Sequence, residues 1–139
     1  MRRIKFISLI VLSYVIYSCN PVNDINYLNG YWEINSVTYK GKELKDYPFS
    51  NTIDYFEIKD NQGFRKKVKP RIDGNFDITM HQINFELILK EKNKIIKYGK
   101  GINFKEKILI LDSLNLHLEN EEGYIYRYKK FIPNNYLDE

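Results

Sequence analysis

The chain has 139 residues, enough for one domain with a single core and too few for two ordinary ones. It has no alanine and is 15% aromatic, a composition that disfavours helix and suits strands. Of the formal net charge of +4, three cations (Arg2, Arg3 and Lys5) lie in the first 18 residues, which leaves +1 beyond them. That near-neutral remainder argues against a general nucleic-acid binder, which needs surplus cations to neutralise phosphates.

Residues 1–18 have the three parts of an export signal: a basic start, an apolar run over 6–16, and small Ser18 before the next residue, Cys19. The apolar run is too short to cross a bilayer, which takes about 20 residues. Cys19 is the sole cysteine, so no intramolecular disulfide can form and the core must supply the stability. Ile16-Tyr17-Ser18-Cys19 resembles the lipobox of bacterial lipoproteins, although Tyr17 is bulkier than most lipoboxes carry. The resemblance implies that Cys19 becomes the first residue of the mature protein and is acylated. Two or three acyl chains, at roughly 0.8 kcal/mol per buried CH₂, would hold it on a membrane leaflet. Residues 19–27 then read as a lipidated polar tether. The expected location is the bacterial outer membrane, with its periplasmic face preferred over the cell surface; the tether lacks the acidic run associated with surface export, and the choice of face stays open.

Beyond residue 28 the glycines fall mostly in polar turn clusters that separate runs of β-branched and aromatic residues. This spacing predicts strands over 31–39, 51–59, 64–71, 75–80, 83–91, 94–99, 105–111, 114–120 and 124–132. Residues 83–91 and 114–120 alternate apolar and polar positions, as half-buried antiparallel strands do. No stretch sustains a 3.6-residue period with caps, so little helix is expected after the signal. The fold class is therefore all-β: an antiparallel up-and-down barrel of 8–10 strands over 28–133, followed by a tail over 134–139.

The second and third of these strands can be registered by their charges if Ile58 faces Phe64. Phe56 then lies opposite Lys66, Asp54 opposite Val68, and Glu57 beside Arg65. In this register Arg65, Lys67, Lys69 and Arg71 form a basic stripe. It reads as a solvated face that blocks edge pairing, with attraction to anionic headgroups as the alternative.

Gly30-Tyr31-Trp32 at the start of the first strand resembles the Gly-x-Trp signature of lipocalins. The resemblance implies that Trp32 closes one end of the barrel under a basic residue of the last strand, with Arg127, Lys129 and Lys130 as candidates. A longer series is similar to the small lipocalin-like lipoproteins of Bacteroidetes: residues 28–34, 53–60, 63–68, Asp73-Gly74 and the tyrosine-rich end before Phe131. Full-size lipocalins differ in having a C-terminal helix and disulfides, and no ligand motif of theirs transfers to this chain.

Catalytic chemistry has little sequence support. His81 and His117 stand in no metal-ligand spacing, no Gly-x-Ser-x-Gly elbow occurs, and no pair of carboxylates is marked as acid and base. No enzyme activity, metal or cofactor is expected. The sharper possibility is the face shared by Asp54, Phe56, Phe64 and Lys66. If it lines the barrel, Lys66 could meet the carboxylate of a fatty-acid-like ligand; a Lys66 reaching solvent at a strand end is the alternative. Two functions follow: a non-catalytic carrier of a small hydrophobic molecule, or a solid-core protein-interaction or envelope-structure module. An interior cavity favours the first; a filled interior with an exposed aromatic patch favours the second.

Overall fold

A computed structural model describes residues 24–46, 51–79, 81–99 and 103–133. The expected signal, Cys19 and the tail over 134–139 lie outside them. Ten strands follow one another: β1 (Gly30–Tyr39), β2 (Lys42–Asp46), β3 (Ile53–Lys59), β4 (Gln62–Pro70), β5 (Phe76–Ile78), β6 (Ile83–Lys90), β7 (Asn93–Tyr98), β8 (Phe104–Leu111), β9 (Asn115–Asn120) and β10 (Tyr124–Phe131). Eight of them close an antiparallel ring in the order β1-β3-β4-β6-β7-β8-β9-β10, with β10 returning to pair with β1 from Tyr31↔Phe131 to Tyr39↔Tyr124. The other two are accessory: β2 extends the sheet beside the second half of β1, and β5 does so beside the end of β4. β2 was not anticipated, because every one of its residues is exposed and its Lys-Glu-Leu-Lys-Asp sequence has no apolar period.

Each ring strand points alternate residues inward. At one end Leu28, Trp32, Phe56, Ile58, Leu87, Ile96 and Leu116 pack into the core. A short 3-10 turn over Ile25–Leu28, capped by the Asp24 carboxylate, plugs this closed end. Ile25, Asn26 and Tyr27, expected as tether, are thus part of the folded body. Asn29 ties the turn to β3 by accepting a hydrogen bond from the Ile58 N–H at 2.6 Å. Gly63 leaves room for the Phe85 ring, since a Cβ there would lie 2.6 Å from Phe85 Cζ and 2.2 Å from the Glu57 carbonyl oxygen.

The β3–β4 hairpin corrects the register expected from the charges. Lys59 pairs with Gln62 across a two-residue turn, Asp60-Asn61, in which both residues have positive φ (52° and 62°). Phe56 therefore faces Arg65, Asp54 faces Lys67, and Tyr55 faces Lys66. A shift of one residue reverses the face of every side chain on a strand. Arg65 and Lys67 turn inward, whereas Phe64 and Lys66 turn outward. The basic stripe is broken up in the same way: Arg65 enters the barrel, Lys67 pairs with Asp54, and Arg71 pairs with Asp73 and Asp77.

A second apolar layer lies outside the ring. Ile53 and Val68 point outward by alternation, yet each is only 1% exposed. The β4–β5 hairpin curls over this wall, so that Phe76 stacks on Tyr31 with centroids 4.2 Å apart and meets the edge of Phe131. Tyr55 tilts against Tyr31 at 4.8 Å, and Lys66 lies over the Tyr55 ring at 5.1 Å.

Candidate functional site

The chemistry of the interior is concentrated around Arg65, halfway up the barrel. Its Nε donates to the Asp54 carboxylate at 3.1 Å. One terminal nitrogen donates to the Tyr98 hydroxyl at 3.0 Å and to Glu106 at 3.2 Å, and the other donates to the Tyr128 hydroxyl at 3.0 Å. Tyr98 in turn donates to Glu106 at 2.6 Å. The guanidinium plane lies 5.0 Å from the centroid of Phe56, the geometry of a cation over a ring. Five strands, β3, β4, β7, β8 and β10, each contribute one member of this polar plug.

Burial works against the charge on Arg65, but the Tyr98 and Tyr128 phenols and the Asp54 and Glu106 carboxylates outweigh it and raise its pKa. Burial also pushes the Tyr98 and Tyr128 phenols well above their ordinary range, so both stay neutral, accepting from Arg65 while Tyr98 donates to Glu106. Lys67 reaches Asp54 at 3.7 Å from the rim side. Two cations thus face two carboxylates, and no buried side-chain nitrogen or oxygen among the described residues lacks a partner. Breaking one member of such a set strands the others, which is why these networks are built complete or not at all.

Above the plug the inward side chains become part-exposed, Phe104 to 37%. Tyr126 and Ile83, inward on β10 and β6, pack against the core from this side. Tyr39 and Tyr124 stack at 4.7 Å across the β1–β10 seam, and Phe104 lies 5.4 Å from Tyr98. The mouth is therefore an aromatic wall over a charge-balanced polar floor. A separate groove runs along the outer wall, where Gln62, Phe64, Asn84, Glu86 and Lys97 line a concavity open to solvent.

At the closed end, Lys130 Nζ lies 4.4 Å from the centroid of Trp32 and donates to the carbonyls of Tyr27, at 3.2 Å, and Asn29. Burial lowers its pKa. The indole N–H donates to the Leu28 carbonyl at 2.8 Å. Gly30 makes room for the ammonium: its φ is +115°, and a Cβ would fall 2.9 Å from Lys130 Nζ. Arg127 instead pairs with Ser36 and His117, on residues that alternate outward, and Lys129 is exposed.

The four residues expected to meet a ligand therefore separate. Asp54 and Phe56 are inside, but their cation is Arg65; Lys66 and Phe64 are on the outer wall, so the proposed contact between Lys66 and a ligand carboxylate in the barrel is corrected. Glu106, Tyr98 and Tyr128 were not singled out, because they come from three different strands and share no local pattern. His81 is exposed, and no group of three or more His, Cys, Asp or Glu is placed to hold a metal among the described residues.

A family model described as the lipocalin-like domain matches residues 28–132. Among solved structures, a lipocalin-like protein from Bacteroides uniformis is similar at 16% identity over 76% of this chain and 99% of that one, with a TM-score of 0.46. Apocrustacyanin C1 is similar at 15% identity over 80% of this chain and 64% of that one, with a TM-score of 0.47. No curated protein matches the chain.

Proposed function

The chain belongs to the lipocalin-like domain family, and from that premise we propose a non-catalytic binding protein of the bacterial cell envelope that takes a small, largely apolar molecule into the barrel mouth. The observation that carries this reading is the arrangement of Tyr39, Ile83, Phe104, Tyr124 and Tyr126 above the Arg65 floor. An apolar wall with a few convergent polar groups is the usual make-up of a small-molecule site. Because Asp54 and Glu106 already neutralise Arg65 and Lys67, the floor offers an unpaired charge to neither acid nor base. The fitting ligand is neutral where it meets the floor, with a hydroxyl or carbonyl at most.

Cys19 and the lipobox-like residues before it support acylation, and with it attachment to the outer membrane, facing the periplasm. Partition of a Cys19→Ser protein tests the anchor: release from membranes is expected, and full retention defeats it.

A second reading has its own support. The lower half of the barrel is filled, and the outer wall carries the half-buried cluster of Tyr31, Tyr55, Phe64, Phe76 and Phe131. Such a wall suits a protein-interaction module. Native mass spectrometry of the mature protein purified from its own membranes separates the two. Carriage predicts a retained small molecule that Tyr126→Ser loses. No retained molecule, or one indifferent to Tyr126→Ser, ends the carrier reading, and a stoichiometric co-purifying protein favours the second.

A further inference from the structure

The closed end of the barrel has a surface that the binding reading does not use. Tyr27, Leu114 and Ile132 gather there around one residue. Lys130 donates through its ammonium to the Tyr27 carbonyl and through its backbone N–H to the Leu114 carbonyl, at 2.8 Å, and Ile132 follows two residues later. All three side chains are exposed, Leu114 at 60% and Ile132 at 68%. Leu89, beside the β6–β7 turn, and Leu109 and Ile110, where β8 runs into the Asp112 loop, extend the apolar surface around the same rim. Exposed Lys90, Glu91 and Lys92 border it, and the Asp112 carboxylate in the same loop is taken up by the Leu114 and Asn115 N–H groups. At the opposite end Leu44, Ile72, Ile78 and Phe104 are also exposed, but each stands beside a charged residue: Glu43 and Lys45, Arg71 and Asp73, Asp77, and Lys105.

The chain itself says what covers the closed end. The described structure begins at Asp24, in this plug, and only four residues separate Asp24 from Cys19. Five residue steps reach at most about 17 Å. A ten-residue strand tilted by ~40° rises about 25 Å along the barrel axis. Once Cys19 is acylated, the tether is too short for the barrel to turn its mouth to the membrane.

Resting on the anchoring reading above, we infer that the closed-end rim of Tyr27, Leu89, Leu109, Ile110, Leu114 and Ile132 lies in the headgroup region of the bilayer, with the mouth facing the aqueous compartment. Aliphatic side chains with one tyrosine, flanked by long charged residues of which Lys90 and Lys92 are cationic, are a composition that settles at a lipid–water boundary. The mouth is thereby held open to a ligand arriving from water rather than extracted directly from the leaflet.

The test uses the full lipidated protein in vesicles of phosphatidylethanolamine and phosphatidylglycerol that contain nitroxide-headgroup lipid. An environment-sensitive fluorophore is placed on Leu114→Cys and, separately, on Lys42→Cys at the mouth. Both positions are exposed, so neither substitution disturbs packing. Quenching several-fold stronger at 114 than at 42, with a blue-shifted emission, is expected. Equal quenching, or stronger quenching at 42, overturns the orientation while flotation with the vesicles keeps the anchor. Failure to float overturns the anchor and the orientation together. Shielding of position 114 in native membranes but not in protein-free vesicles shows a protein covering the rim and overturns lipid as its occupant.

Discussion

At the residue scale, Arg65 is held by side chains from four other strands and Lys130 by the 3-10 turn and Trp32, and the consequences of removing them differ. Arg65→Leu would leave Asp54 and Glu106 buried without their main cation. The cost of breaking a buried pair in this way is about 3–5 kcal/mol. Urea unfolding followed by Trp32 fluorescence should show a loss of that size, and a loss under 1 kcal/mol would mean that the network contributes little to stability. Lys130→Met should cost about 1–3 kcal/mol, because it removes the cation over the indole and strands two carbonyls near the surface. The sequence marked Gly30 and Trp32 and left Arg127, Lys129 and Lys130 as candidates for the cation, and only the seam register separates Lys130 from the other two. Arg65 was not legible: in a run of Arg65, Lys66, Lys67 and Lys69, nothing local marks which cation turns inward, and the answer lies in the turn that precedes them.

At the scale of elements, that turn decides the face of β4. Asp60-Asn61 is the kind of pair that tolerates two consecutive positive φ values, as a two-residue hairpin turn requires. Every strand but β2 was legible from alternation and turn spacing, whereas the β3–β4 register was read from charge pairing alone. Charge pairs on a solvated strand are worth only a few tenths of a kcal/mol to about 1 kcal/mol, so they lose to turn geometry and to burial of Phe56 and Ile58. Asn61→Gly keeps the turn and relieves the backbone strain. It should raise stability by up to about 1 kcal/mol, while Asn61→Val should lower it by at least as much. Equal midpoints for the two variants in a denaturant titration would show that the turn does not hold the register. β2 and β5 lie outside the ring, and the external layer over Ile53 and Val68 is why the β4–β5 hairpin folds back instead of projecting as a free edge.

At the scale of the whole molecule, closure by β1 and β10 joins the fold and the plug, since Tyr128 belongs to the strand that closes the ring and hydrogen-bonds the cation at its centre. Alkaline pH tests this coupling. Burial raises the phenol pKa values of Tyr98 and Tyr128 in the folded state, whereas unfolded tyrosines ionise near 10. A raised folded pKa contributes stability that is complete below the unfolded value and falls as pH climbs past it, because the unfolded chain then releases protons that the folded one retains. Tyr55, pushed up to about 12 by partial burial and by its hydrogen bond to Glu57, should titrate without disturbing the ring. Tyr98 and Tyr128 should yield phenolate absorbance only together with the collapse of the strand circular dichroism signal. The Tyr128→Phe protein should lose amplitude from that last cooperative step and leave the earlier ones unchanged. Phenolate appearing at full amplitude while the barrel signal persists would mean that the plug opens on its own, and that ring closure and the Arg65 network are independent.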